Sequence, residues 1–361
     1  MLEQTDDYKN ILLSNAPLMD TRAPIEFIQG SFPTANNLPL MNDKERAAVG
    51  TCYKKKGQAA AITLGHQLVS GETKQARLEA WLSYIKANPK GYLYCFRGGM
   101  RSQLVQEWLH EAGVDYPRIK GGYKALRQFL IQNTEQSLQA LPLLILGGMT
   151  GCGKTEILSQ LSNSIDLEGH ADHRGSSFGS HAKPQPSQIN FENNLSIDIL
   201  KKRQQGAKKL ILEDEGHIIG RCALPIKLVK EMKLAKLVWL EASLEERIER
   251  VLKDYVINLQ QEFINLQGED KGKEAFAEHL LASLNRITKR LGMERHQQLQ
   301  QLMQAALNKT NLSTSLGIHR EWIRLLLESY YDPMYQYQRK KKASQIIYHG
   351  RAEEVSAFLR Q

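Results

Sequence analysis

Two short stretches of this 361-residue chain hold residue types that act on anions. In the first, Cys95-Phe-Arg97-Gly98-Gly99-Met-Arg101-Ser102, a cysteine is followed closely by two arginines and two glycines. A cysteine that only filled a core would need neither. Glycines let a loop curl with its N–H groups inward, a helix start beyond them adds positive potential, and arginine forks suit an oxyanion. The same surroundings favour thiolate over thiol, so Cys95 is the candidate nucleophile and Arg97, Gly98, Gly99 and Arg101 its cradle. Two chemistries use such a loop. Attack on phosphorus needs a nearby carboxylic acid to protonate the leaving group; attack on a chalcogen leaves sulfur or selenium on the cysteine. The loop alone does not separate them, and a structural cysteine beside two surface arginines is the plain alternative.

The second stretch, Gly148-Met-Thr-Gly151-Cys152-Gly153-Lys154-Thr155, fits G-x-x-x-x-G-K-[ST] at every fixed position, after the apolar run "LLIL" and before the helical pattern "TEILSQL". Gly148, Gly151, Cys152, Gly153, Lys154 and Thr155 are therefore the candidate diphosphate-binding residues. Backbone N–H groups would cradle the phosphates, Lys154 would bridge their outer oxygens, and the Thr155 hydroxyl would ligate Mg²⁺. "LILEDE" ends a strand with Glu213, Asp214 and Glu215; Asp214 is the candidate to support the metal, though the sequence does not decide among the three. Such a loop implies a bound diphosphate, not hydrolysis of a nucleotide. His173, Arg174 and Ser176 in "HADHRGSSFG", and Arg221 after "GHIIG", are candidates to line the pocket, against the alternative of a structural Gly-rich turn. Cys152 reads as packing, and Cys52 and Cys222 as small apolar fillers.

The elements that must hold these loops are legible as α/β. "YLYC" reads as a short buried strand, the apolar spacing Leu104, Val105, Trp108, Leu109, Ala112 as a helix, and "YPRIKGGYKALRQFL" as strand, turn and helix. This first domain covers 1–135, with "NTEQSLQA" as a polar linker. The second, 136–361, alternates "LPLLIL", "KKLILEDEG" and "KLVWLEA" with helical stretches, the pattern of a parallel sheet covered by helices. A charged helical subdomain over about 257–332 follows, before "SQIIYHG" and "RAEEVSAFLR" return as a strand and a helix.

Lys plus Arg number 48 against 39 Asp plus Glu, a formal +9 that suits a polyanionic partner without requiring one. No apolar run is long enough to span a bilayer, and the acidic start "MLEQTDDYKN" lacks a signal-peptide pattern. Four scattered cysteines without a CxxC pair fit a reduced, cytoplasmic setting. The expectation is a protein with no membrane and no tightly bound prosthetic group, taken as monomeric.

Upstream of the cysteine loop, "LMDTRAPIEFIQGSFPTANNLPL" resembles the rhodanese pattern of Asp-x-Arg, Glu-Phe, Gly, Pro and Asn-Leu-Pro, with Asp20 and Arg22 in the core of that fold. "GSFPTANN" departs from the Gly-His-Ile-Pro-Gly-Ala stretch common there. With "ERAAVGTCYKKKGQAAAITLG", "YCFRGGMRS", "HADHRGSSFG", "EDEGHIIG" and "YYDPMYQYQ" in this order, the whole chain resembles the tRNA 2-selenouridine synthase family. That resemblance implies a rhodanese-like domain fused to a P-loop domain, and a tRNA substrate with 2-thiouridine at the wobble position of the anticodon. It implies two steps: geranyl diphosphate alkylates the sulfur, and selenium from selenophosphate then replaces the S-geranyl group through a Cys95 perselenide. Two competing readings are a kinase or ATPase with a degenerate rhodanese domain, against which an intact Cys95 with both arginines argues, and a phosphatase. For RNA contact the candidates are Arg339, Lys340, Lys341 and Lys342 with Tyr330, Tyr331, Tyr335 and Tyr337, and also Lys54, Lys55 and Lys56; a solvated charge run is the default for each.

Overall fold

The computed structural model describes residues 2–309 and 312–361. The chain divides into two compact units, one of Met1–Ser137 with Ser187–Lys201, the other of Leu138–Pro186 with Lys202–Gln361.

The first unit is built on five short strands, β1 (Gln4–Thr5), β2 (Leu18–Asp20), β3 (Ala35–Asn37), β4 (Tyr92–Tyr94) and β5 (Arg118–Ile119). They form one parallel sheet in the order β1-β5-β4-β2-β3. Its helices are α1 (Tyr8–Leu13), α2 (Pro24–Gln29), α3 (Asp43–Leu68), α4 (Gly71–Ala87), α5 (Met100–Glu111) and α6 (Gly122–Ala140). All-parallel strands must be covered on both faces, and two apolar clusters do this. Leu18, Tyr94, Ile119, Tyr123 and Leu126 gather in one, Met19, Trp81, Leu93, Val105 and Trp108 in the other. Alternation along β2 and β4 sends successive side chains to opposite clusters. The Asp20–Arg22 pair is fully buried at the end of β2: Arg22 Nε and Nη2 bond Asp20 at 2.9 and 2.6 Å, and Nη2 also donates to the Gly30 carbonyl at 2.7 Å. Loss of either partner leaves an uncompensated buried charge, which costs about 3–5 kcal/mol. A parallel sheet with Cys95 directly after β4 is compatible with the rhodanese-like expectation.

Two sequence expectations need correction here. "NTEQSLQA" does carry the chain from one unit to the other, but as the last two turns of α6; Thr134 and Ser137 are buried and Ser137 Oγ bonds back to the Asn133 carbonyl at 2.7 Å. Segment 187–201, placed by sequence inside the second domain, belongs to the first unit. Ile197 and Leu200 join its core, and Asn190 and Asn193 bond the Ser31 backbone at 2.7 and 2.8 Å.

The second unit has β6 (Leu143–Gly148), β7 (Ser164–Ile165), β8 (Leu210–Glu213), β11 (Lys236–Leu240) and β12 (Ile346–Gly350), parallel in the order β12-β11-β6-β8-β7, and a two-stranded ribbon of β9 (Ile218–Ile219) and β10 (Cys222–Ala223). Its helices begin with α7 (Lys154–Leu158), α8 (Leu167–Ala171), α9 (Gln188–Gln204, mostly in the first unit) and α10 (Ile226–Leu234). Between β11 and β12 the chain is helical: α11 (Leu244–Leu252), α12 (Leu259–Gln267), α13 (Glu269–Leu291), α14 (Met293–Leu307), α15 (Leu312–Leu326) and α16 (Asp332–Lys341). These pack around Phe263, Phe276, Leu284, Trp322 and Leu326. The chain then returns through β12 to α17 (Ala352–Arg360). The α/β class with parallel sheets and inserted helices is thus as the sequence implied. Among the described residues, no helix is long and apolar enough to cross a membrane.

Candidate functional site: two anion loops

Cys95 follows β4 and is buried, its Sγ 3.1 Å from the Ser102 hydroxyl, which in turn donates to the Gly99 carbonyl at 3.0 Å. Gly98 turns the loop with φ of +62°, and its carbonyl accepts from Arg118. α5 starts immediately after Gly99. A cavity of about 580 Å³ opens here, lined by Cys95, Arg97, Gly99 and Arg101 and also by Arg22, Glu26, Arg46 and Tyr123. The two arginines differ. Arg97 is exposed, whereas Arg101 is held by Glu26 through bonds of 2.6 and 3.2 Å, with Arg46 3.4 Å from the same carboxylate. Burial pushes the Glu26 carboxyl up, but Arg101, the Ala23 N–H and Arg46 outweigh it and hold it below its ordinary range. The sequence quoted Glu26 only as part of a pattern and gave it no role; its acidic position in the first turn of α2 was the available signal.

The phosphate loop joins β6 to α7. Gly151 and Gly153 have φ of +76° and +93°, a region closed to most side chains, so the loop's curl requires them. Gly148 stands where a Cβ would lie 2.5 Å from Cys152 Sγ, and Cys152 is buried under it as packing. Arg247 of α11 is buried, donates to the Thr150 carbonyl at 2.9 Å and pairs with Asp332 of α16, so two inserted helices brace the loop from behind. A cavity of about 310 Å³ is lined by Gly151, Gly153, Lys154 and Thr155, with His173, Arg174 and Ser176 opposite.

Those three are therefore gathered at the loop, each for a definite reason. Burial first, then the charges of His181, Arg286 and Arg174, push His173 down to about 4, leaving a neutral imidazole. Arg174 pairs with Glu262 at 3.0 Å, and Ser176 bonds the Tyr255 hydroxyl at 3.1 Å. Arg221 is a correction. It is exposed on the β9–β10 ribbon, its backbone N–H donates to Gln185 Oε1 at 2.7 Å, and it does not line this cavity.

Asp214 is the second correction: its carboxylate is taken by Lys342, and Glu215 faces the cavity instead. Glu168 and Asp166 of the α8 turn join it there, residues the sequence reading missed although "IDLEGH" sets two acids beside a helix start. Burial, then the neighbouring Glu215, raise Glu168 to about 8, and burial also raises Glu215 against the pull of Lys154. Buried Glu213 accepts from the Glu168 N–H at 3.2 Å and is likewise pushed well up. Burial works against the Lys154 ammonium, but the surrounding negative groups, Glu215 and Glu168 among them, keep it firmly protonated. Among the described residues no three His, Cys, Asp or Glu form a metal cage. An Mg²⁺ ion held jointly by Thr155, one of these carboxylates and substrate phosphates needs none.

Fold and site together define a two-unit α/β protein with a cysteine loop flanked by glycines and arginines in one unit and a glycine-lysine loop in the other. Residues 141–361 match the family described as tRNA 2-selenouridine synthase AAA domain. A tRNA 2-selenouridine synthase of Pseudomonas putida (strain GB-1) is 56% identical over 98% of this chain and 96% of its own. One from Pseudomonas syringae pv. syringae (strain B728a) is 56% identical over 100% of this chain and 99% of its own. A solved structure, the N-terminal domain of an ATP/GTP-binding protein from Clostridium difficile 630, is 32% identical over 32% of this chain and 89% of that one; its TM-score of 0.29 defines no common fold. The chain belongs to the tRNA 2-selenouridine synthase family.

Proposed function

We propose that the protein converts 2-thiouridine at the wobble position of tRNA into 2-selenouridine through an S-geranyl intermediate. One observation carries the reading: a single chain holds two anion cavities of different chemistry, one around Lys154 and one at Cys95. The thiocarbonyl sulfur of the base attacks C1 of geranyl diphosphate, the C–O bond breaks, and Lys154 stabilises the departing diphosphate; Thr155 and a cavity carboxylate would hold Mg²⁺, which would supply further charge neutralisation there. Thr150, Ser176, Val251 and Tyr255 line both the phosphate cavity and an apolar cleft walled by Phe178, Trp322, Leu326 and Tyr331. That cleft measures about 10 Å³ and is part of the apolar core of the inserted helices, directly beside the phosphate cavity.

Alkylation makes the sulfur a good leaving group. Cys95 attacks the selenium of selenophosphate, the Se–P bond breaks with its electron pair on phosphorus, and phosphite leaves a Cys95 perselenide. The perselenide attacks C2 and geranylthiol departs; one external thiol then opens the S–Se bond, forming a mixed disulfide with Cys95 and freeing the selenium on the base, and a second thiol restores Cys95, the two thiols leaving as a disulfide. A phosphatase role fits less well, because the carboxylate at the Cys95 cavity, Glu26, is kept ionised by Arg101 and is a poor general acid. The test is nucleoside mass spectrometry of tRNA incubated with the protein, thiol and both donors, each donor omitted in turn. S-geranyl-2-thiouridine without selenophosphate, and no 2-selenouridine without geranyl diphosphate, is the expected result. Selenouridine formed with geranyl diphosphate absent overturns the order, and phosphate released in place of phosphite overturns attack at selenium.

A further inference from the structure

α3 is two helices, not one. Gly57 interrupts it with φ of +82° and ψ of −177°, and a Cβ on Gly65 would lie 3.9 Å from the Val49 side chain. Val49 and Gly65 each stand eight residues from Gly57, so the two arms run back along each other as a hairpin whose turn is Gly57. The foot of the hairpin is tied down: Arg46 reaches Glu26, the carboxylate that holds Arg101 at the Cys95 cavity. Its tip is bare. Residues 53–59 are all exposed, Tyr53 at 58%, and nothing lies within 4 Å of a Cβ built on Gly57. Only Ala61 of the whole of α3 is buried.

Charge at this tip is one-sided. Lys54, Lys55 and Lys56 precede the turn, and no Asp or Glu occurs from Ala47 to Gly71. None of the three lysines has a carboxylate partner, unlike the other basic run, where Arg339 is held by Glu241 and Lys342 by Asp214. Three unpaired ammonium groups beside an exposed aromatic ring suit a polyanion whose bases are accessible. At 1.5 Å per residue, Lys54 stands roughly 12 Å along the helix from Arg46, a span of about four nucleotides at 3.4 Å each.

We infer that the α3 hairpin tip is an RNA-docking arm of the first unit: Lys54, Lys55 and Lys56 hold backbone phosphates and Tyr53 stacks on an unpaired base, next to the cavity that holds Cys95. The inference rests on the proposed tRNA substrate and adds the surface that grips it. The experiment is fluorescence-anisotropy titration of the full chain with a labelled tRNA transcript bearing uridine at the wobble position, at several salt concentrations. Replacing Lys54, Lys55 and Lys56 together by Gln is expected to weaken binding at least tenfold at physiological salt. The slope of log affinity against log salt falls by about 2, as for three lost contacts to a single strand. Replacement of the same three by Arg restores both, which a merely structural role would not. Tyr53→Ala weakens binding roughly tenfold, while Tyr53→Phe keeps it. If the wild-type chain binds and the Gln variant matches it in affinity and slope, the docking arm is refuted while the tRNA reading stands. If the wild-type chain does not bind the transcript, both fall.

Discussion

The two anion loops solve the same problem with opposite surroundings. At Cys95 the cations outnumber the acids, yet one carboxylate, Glu26, already pairs with Arg101 and Arg46, while Arg97 is exposed. At Lys154 a single buried ammonium faces Glu168 and Glu215. The first loop must displace a competitor for its arginine before it takes an oxyanion. The second is rich in carboxyl groups that burial and crowding push toward the neutral form, so a diphosphate meets less competing negative charge while they hold their protons. One loop has an internal rival for its arginines; the other has walls whose charge depends on their protonation.

The largest test of that contrast is Cys95→Ser, which is expected to lower selenium incorporation by roughly three orders of magnitude or more while S-geranylation persists. Mass spectrometry of the tRNA nucleosides reads both; loss of both steps together would mean the loops do not divide the chemistry. Lys154→Ala is next. Affinity for geranyl diphosphate, measured by calorimetry, falls about 100-fold, in line with roughly 2–3 kcal/mol for a charge-assisted contact. The selenium adduct on Cys95 is unchanged.

The third test uses pH. Glu168 is raised to about 8, so the folded protein binds this proton more tightly than the unfolded chain. Its stabilising contribution is present below about pH 4.5 and is lost as pH rises through about 8. Between those limits the ligand-free protein should lose up to about 5 kcal/mol, several degrees in melting temperature, and Glu168→Gln should flatten the profile. An unchanged profile would remove the crowded-carboxylate account. The smallest effect is Glu26→Gln, which frees Arg101 and should raise phosphate affinity at the Cys95 cavity a few-fold.

Both loops were readable because each is a contiguous stretch whose glycines, charges and flanking elements lie within about ten residues. The partners that set their chemistry were not. Glu168 reaches Lys154 from α8 and Arg247 braces Thr150 from α11, and no spacing in the sequence joins them. Asp214 and Glu215 are neighbours in a turn past the end of β8, where the Glu215 N–H bonds the Glu213 carbonyl at 2.9 Å, so strand alternation could not say which faces the phosphate; Lys342, far along the chain, takes Asp214. The α3 hairpin escaped notice because it buries only Ala61 and so carries no apolar stripe at helical spacing, and "NTEQSLQA" because polar composition hid a buried Thr134–Ser137 edge.

The first unit is not a continuous length of chain. Residues 1–137 leave out α9's contribution, and with it Ile197, Leu200 and the asparagines that fasten the turn at Ser31. A single cut after residue 137 would therefore yield a fragment with an open flank, prone to stick to itself. Anyone wishing to study the cysteine loop in isolation would need to graft 187–201 back on.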